Sequence, residues 1–481
     1  MTFMPLPDLI EIVPLNTVVS AQISIPGSKS LTNRALILAA LSEADITLTG
    51  ALWSDDTQVM VTALAQLGFD VRVAPDALEP CNRTLRVRGL SGKIPNGGTP
   101  ENPLDLFVGN AGTAARFLAA LVCLGRGVYR LHGDDRMHQR PQAALFAALR
   151  QLGCRIDSPN DRLPALFFGA GPRQAACQVN VGESSQFASA LLLCATVAPW
   201  RVDLAPTQPE PPYVAMTRQL IAAFPRRGGA FQIEPDASSA SYFVAAQWLL
   251  NQPSHGPDTG FAADERRDED LREIIRPAVE ALPPADSHKL RAWLQQHPPP
   301  GADAPRISIA AFPASGWQID SAFPKFLPLP ARISRRTQLG DSIMTAIIVA
   351  PFASRPTEFT DLLPLRLQEC ERVAALRSEL AKCGATVIES GDTLTVHPSA
   401  APLHGAEIET YNDHRMALCF AILGLKIPGI RIKNPSCVKK TFPNFFQKLA
   451  GRPPAGLGAA ILDATSRLPL REDQLLPPSD F

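Results

Sequence analysis

The chain has 481 residues, 46% of them apolar and 19% charged, with 46 basic and 46 acidic side chains and a formal net charge of zero. That length exceeds what one core fills and favours two or three domains. The neutral balance disfavours long-range steering to nucleic acid or an anionic membrane, so any anion site must be a local concentration of positive charge. The opening M-T-F-M-P-L-P-D-L-I-E has no basic n-region before an apolar run, so no signal peptide is expected. The most apolar stretches, Ala188–Trp200 and Ile343–Ala353, fall short of the ~18 residues of a membrane span. The nine cysteines form no C-x-x-C pair, which suits reduced thiols in a cytoplasmic protein and argues against a structural zinc site.

Along the chain one pattern recurs. A short β-rich run enters a Gly- or Ser-containing turn and then a helix rich in Ala and Leu, at Ile23–Leu41, Leu106–Leu124, Val179–Val197, Ile233–Leu250 and Glu407–Leu425. Strand-like alternations lie between, at Arg83–Gly89 and Thr386–His397. Strands alternating with helices indicate an α/β or α+β chain. Residues 251–336, dense in Pro, Asp and Arg, read as long loops, and Gly451–Phe481 as a Pro/Leu-rich surface appendage.

The first turn with chemistry is P-G-S-K-S-L-T-N-R, residues 26–34. It is not a Walker loop, because Ser28 precedes Lys29 and position 24 is serine. A helix start with free N–H groups, Lys29 and, one turn in, Arg34 still favours a phosphate or carboxylate. A Ser28 cap with a solvated lysine fits the same residues, and the stretch alone does not choose. L-F-V-G-N-A-G-T-A-A-R-F offers a second amide cradle at Asn110–Thr113, or else a capped strand–helix turn. G-D-D-R-M-H-Q-R-P carries Arg136 and Arg140, whose forks suit bidentate capture of an oxyanion or simply face solvent. G-E-S-S-Q-F sets Ser184, Ser185 and Gln186 at a helix start, as oxyanion ligands or caps. L-R-L-Q-E-C-E-R-V places Arg366, Glu369 and Arg372 at helical spacing, a pattern also expected of a surface face. In Y-N-D-H-R-M-A, three adjacent titratable groups, Asp413 to Arg415, seldom serve packing alone. C-V-K-K-T-F adds Lys439 and Lys440.

Taken in order, P-G-S-K-S-x-x-N-R-A-L, G-N-A-G-T-A-x-R, R-M-x-x-R-P, S-S-Q-F, D-A-S-S-A-S-Y-F, E-x-x-R, Y-N-D-H-R-M-A and K-T-F-P resemble the 5-enolpyruvylshikimate-3-phosphate synthases. The resemblance is strong over residues 10–245 and 340–450 and nearly vanishes over 251–336. It implies two similar globular domains, each built from βαβαββ units about a pseudo-threefold axis, with one unit here degenerate. The first, discontinuous domain would take residues 1–22 and 240–450, the second 23–239, with 451–481 as a tail. It implies transfer of the carboxyvinyl group of phosphoenolpyruvate to the 5-hydroxyl of shikimate 3-phosphate, with release of phosphate, in the shikimate pathway to chorismate and the aromatic amino acids. No cofactor, metal, nucleic acid or membrane would take part, and the enzyme would be a cytoplasmic monomer.

By the same resemblance Lys29, Asn110, Gly112, Thr113, Arg136, Gln186, Arg372, His414, Arg415 and Lys440 would bind phosphoenolpyruvate. Lys29, Ser30, Arg34, Ser184, Ser185, Gln186, Tyr213 and Asp341 would bind shikimate 3-phosphate. Asp341 would take the 5-hydroxyl proton, and Glu369 or Lys29 would protonate the methylene carbon. Some positions depart from the family pattern. Gln368 replaces a lysine that contacts substrate anions, Pro364 an asparagine, Gln139 a glutamate, and Glu210 a serine at the shikimate phosphate, where a carboxylate would repel unless the loop is displaced. The Leu-Gln-Gly-Asp turn is absent, and the stretch between the Tyr213 helix and Pro235 is short by about a hairpin. These departures leave a second reading, an impaired homologue that binds a phosphorylated ligand or a partner without turnover.

Overall fold

The structure is a computed structural model, which describes residues 6–16, 18–205, 210–252 and 305–476. The Ala/Leu-rich runs form helices Lys29–Leu41, Gly112–Val122 and His414–Gly424. From Leu31 to Leu41, and throughout the other two, every residue is buried. Helices buried on every face belong inside a fold rather than on its surface, and sheets enclose these three.

Two hydrophobic cores result. One gathers residues from Leu31 to Ile233; the other combines Leu6–Ile25 with residues from Ala240 onward. In the first, the strand Ile46–Leu52 lies between Gly229–Gln232 and Asn82–Val87, with Val71–Pro75 outermost. A second sheet runs Leu104–Phe107, Arg126–His132, Ala165–Ala170, Arg155–Asp157, and the parallel pair Ala175–Val179 and Trp200–Leu204 makes a third. The other half mirrors this. It has one four-stranded sheet on Thr357–Thr360 and Thr393–Val396, another on Leu9–Ile12 and Ile430–Lys433, and the parallel pair Ser20–Ile23 and Arg306–Ile309. Two four-stranded sheets and one two-stranded sheet per half fit a doubled, mixed α/β fold, with the third sheet of each half the smallest among the described residues.

The chain passes between halves twice, and the two crossings lie side by side. Ser28 N donates to Glu234 O at 2.8 Å and Asp236 N to Pro26 O at 2.9 Å, with Gly27 bridged to Pro235. Gly27 is required there, because a Cβ would sit 2.0 Å from the carbonyl oxygen of Gly50. Lys29 follows at once, so the anion-site turn of the sequence is also a crossing between the halves.

Two sequence expectations are corrected. The stretch read as a tail appendage is built into the fold: Ile461–Asp463 pairs antiparallel with Leu9–Ile12, and Leu457, Ala459, Ile461 and Leu475 are buried in the core. An edge strand with no alternation shows itself only through its partner. The Pro- and Asp-dense region is not all loop either. Residues 253–304 lie outside the described residues, but 305–336 hold the strands Arg306–Ile309 and Arg332–Ser334 and the 3₁₀ helix Ile319–Phe326.

Candidate active site

Between the two halves lies a cavity of about 470 Å³. Its wall carries Lys29, Ser30, Arg34, Gly112, Thr113, Ser184, Ser185, Gln186 and Tyr213 from one half and Asp341, Glu369, Arg372, His414 and Arg415 from the other. Asn110, Arg136 and Lys440 stand just behind it: Lys440 Nζ lies 2.9 Å from Asn110 O and 3.0 Å from Glu369 Oε1, and Arg136 donates to the carbonyl of Gln368.

The capping alternative for P-G-S-K-S is not realised. Ser28 accepts no cap hydrogen bond, and Lys29 is largely buried and paired with Asp56 at 3.0 Å. Arg34 is buried against neutral acceptors, Thr217 Oγ1 at 2.8 Å, Ser30 O at 3.0 Å and Ser189 Oγ at 3.0 Å, and lies over the Phe117 ring. Burial pulls its guanidinium down to about 10, so it stays charged and short of an anion. Arg140 grips Asn110 through the carbonyl at 3.0 Å and Oδ1 at 2.9 Å, and Thr113 Oγ1 accepts from Asn33 at 2.7 Å. The amide cradle is thus held rigid from behind. Neither Ser185 nor Ser184 serves as a side-chain helix cap in the usual sense; Ser184 Oγ accepts from Gln186 N at 3.2 Å.

Opposite them, Tyr411 and Asn412 both take φ 53°, a left-handed turn that asparagine tolerates best, and Asp413 then caps the helix by accepting from Arg415 N at 2.9 Å. The surface-face alternative for Glu369 and Arg372 fails as well. Arg372 is 1% exposed and meets Asp413 at 2.6 Å and Glu369 at 2.9 Å. Burial alone would raise the Glu369 carboxyl, but Lys440, Arg372, Arg140 and Lys29 hold it well below the usual carboxylate range. Burial first, then the charge of Lys29 and Arg415, drives His414 well below an ordinary imidazole, so it stays neutral. Among the described residues neither ring nitrogen has a hydrogen-bond partner.

The family model described as EPSP synthase (3-phosphoshikimate 1-carboxyvinyltransferase) matches residues 15–225 and 335–449. A protein of Opitutus terrae named 3-phosphoshikimate 1-carboxyvinyltransferase is 36% identical, over 93% of this chain and 98% of its own. One of the same name from Nostoc sp. is 34% identical, over 92% and 98%. The chain belongs to the EPSP synthase family. The fold agrees. EPSP synthase of Acinetobacter baumannii superposes with a TM-score of 0.61 at 19% identity, covering 94% of this chain and 99% of that one. The enolpyruvyl transferase NikO of Streptomyces tendae gives 0.60 at 16%, covering 95% and 99%.

Against the EPSP synthase pattern, the departures at Gln368 and Glu210 have a local account. The Gln368 side chain accepts from Arg372 Nη1, a bond that lysine could not accept. Glu210 turns outward to Arg218 at 3.0 Å and is not in the cavity wall. Within the stretch read as divergent, Gln318 and Asp320 anchor neighbouring backbone. Gln318 Oε1 accepts from Ala237 N at 3.0 Å, and Asp320 Oδ1 accepts from Gly340 N at 2.6 Å, Ser342 N at 3.2 Å and Ser342 Oγ at 2.6 Å. Asp341 lies between those two residues. Ser238 also donates to Asp320. Sequence reasoning passed over Asp320, Asp56, Arg116 and Arg335. Asp56 carried a faint signal as an acidic residue at a helix start, and Arg116 stood within a quoted motif. Asp320 and Arg335 had none, since both sit in or beside the stretch read as divergent.

Proposed function

We propose that the protein transfers the carboxyvinyl group of phosphoenolpyruvate to the 5-hydroxyl of shikimate 3-phosphate, as a cytoplasmic monomer acting on small molecules alone. The observation that carries this is one cavity with Asp341 and Glu369 on one wall and Lys29, Arg34 and Ser184–Gln186 on the other. Two oxyanion-bearing substrates require such a density of cations in a neutral chain. Family membership supplies the reaction.

In this reading Arg34, Ser30, the Ser184–Gln186 turn and Tyr213 hold the acceptor, and Lys29, the Gly112–Thr113 amides, Arg136, Arg415 and Lys440 hold phosphoenolpyruvate. Asp341 takes the 5-hydroxyl proton as that oxygen attacks C2, while C3 gains a proton and becomes a methyl group. The resulting tetrahedral ketal loses a methyl proton and expels phosphate, which regenerates the vinyl group. Glu369 is ionised while Lys440 and Arg140 face it. Phosphoenolpyruvate anions draw those cations off, and the carboxyl rises toward the range in which it can carry the proton. Lys29, paired with Asp56 at 3.0 Å, is the second candidate donor.

The test is inorganic phosphate release from phosphoenolpyruvate with and without shikimate 3-phosphate. Release only when both are present is expected. Calorimetric binding of shikimate 3-phosphate with no release would replace this reading with the impaired-homologue one.

A further inference from the structure

Asp341 faces three guanidinium groups: Arg335 Nη2 at 2.8 Å from Oδ1, Arg415 Nη2 at 3.1 Å and Arg372 Nη1 at 4.0 Å from Oδ2. Burial alone would raise this carboxyl, yet Arg415, Arg335 and Arg372 together hold it well below the usual carboxylate range. A base so stabilised has little drive to accept a hydroxyl proton. At least one cation must withdraw before Asp341 acts.

The three differ in what else binds them. Arg372 has Asp413 at 2.6 Å and Glu369 at 2.9 Å. Arg415 stands in the first turn of a buried helix and reaches Tyr242 Oη at 3.3 Å. Arg335 has Asp341 as its one carboxylate partner among the described residues, and its Nε is buried without a hydrogen-bond partner. Its backbone is anchored by N–H to Thr360 O at 3.0 Å, while its side chain lies in the cavity wall with Tyr213 and Arg336. A buried donor left unpaired at a ligand cavity calls for an acceptor from the ligand.

We propose that Arg335 is a binding residue for an oxyanion of the acceptor: it leaves Asp341 for that oxyanion as shikimate 3-phosphate enters, and Asp341 is thereby freed to take the 5-hydroxyl proton. The proposal rests on the enolpyruvyl-transfer reading above. The exchange never leaves the guanidinium without an anion, so no buried cation is stranded at any stage. The proton passes from the acceptor oxygen to an Asp341 oxygen, and no other group is consumed.

The experiment is calorimetric titration of the full chain and of Arg335→Gln and Arg335→Lys with shikimate 3-phosphate and with shikimate. Arg335→Gln should weaken shikimate 3-phosphate binding about ten- to hundredfold, the range of a lost charge-assisted bond, and Arg335→Lys should recover part of it. Shikimate carries the carboxylate without the phosphate. Equal weakening for both ligands identifies the carboxylate as the oxyanion, and weakening confined to shikimate 3-phosphate identifies the phosphate. Unchanged affinity in Arg335→Gln with a lowered kcat overturns the proposal and leaves Arg335 as a support for Asp341 alone. If the glutamine variant melts well below the parent, the lysine variant carries the same comparison. A parent chain that binds no shikimate 3-phosphate fails the functional reading itself, and the proposal with it.

Discussion

Arg136 holds the backbone carbonyl of Gln368 across the cleft, through Nε at 3.0 Å and Nη2 at 2.8 Å. The contact ties one half of the molecule to the other, and it uses the main chain, so it survives any side chain at position 368. It gives Arg136 a structural task in closing the cavity beside the ligand-binding task that its motif suggests.

Replacing Arg136 with alanine removes a charge-assisted bond worth about 1.5–3 kcal/mol. Arg136→Ala should raise KM for phosphoenolpyruvate by about tenfold or more and widen the particle in small-angle scattering. Unchanged KM together with an unchanged scattering profile would show that neither task matters.

Asp320 fixes the main chain on both sides of Asp341. Asp320→Ala leaves the N–H groups of Gly340 and Ser342 buried and unpaired, at about 1–3 kcal/mol each, and lets the base drift. A lower urea midpoint and a kcat reduced by about tenfold or more are expected, with KM for either substrate little changed. Asp320→Asn keeps the acceptor oxygen and should restore most of kcat. Equal losses in both variants would point to the charge rather than the geometry.

His414 gives a pH signature. Its folded value lies well below 6.5 because burial, Lys29 and Arg415 disfavour the imidazolium. The unfolded chain therefore binds a proton below pH 6.5 that the folded chain refuses, and stability falls as pH falls. The slope approaches about 1.4 kcal/mol per pH unit well below 6.5. Urea midpoints between pH 7 and pH 5 should drop for the parent and drop less for His414→Gln. Parallel curves would mean that the imidazole is protonated in the folded state.

Glu210 pairs with Arg218 at a half-exposed surface site. Exposed pairs contribute little, and this one lies outside the cavity. Glu210→Ser should leave KM for shikimate 3-phosphate within about twofold. A marked fall in KM would place the carboxylate near the phosphate after all.

The sequence by itself determined the helices and the motif turns, because these are local. An Ala- and Leu-rich helix after P-G-S-K-S or Y-N-D-H-R is specified within about a dozen residues, and so is the charge each turn presents. It also determined the family, through the order of the motifs. What it left open needed partners far along the chain. Ile461–Asp463 is a strand because Leu9–Ile12 offers it an edge. Asp320 matters because Gly340 and Ser342 donate to it from some twenty residues away. Gln368 is accommodated because Arg372 turns a donor toward it. Above all, only the tertiary structure decided the state of Asp341. Arg335, Arg372 and Arg415 come from separate elements, and a buried carboxylate takes its basicity from whichever cations the fold brings within reach.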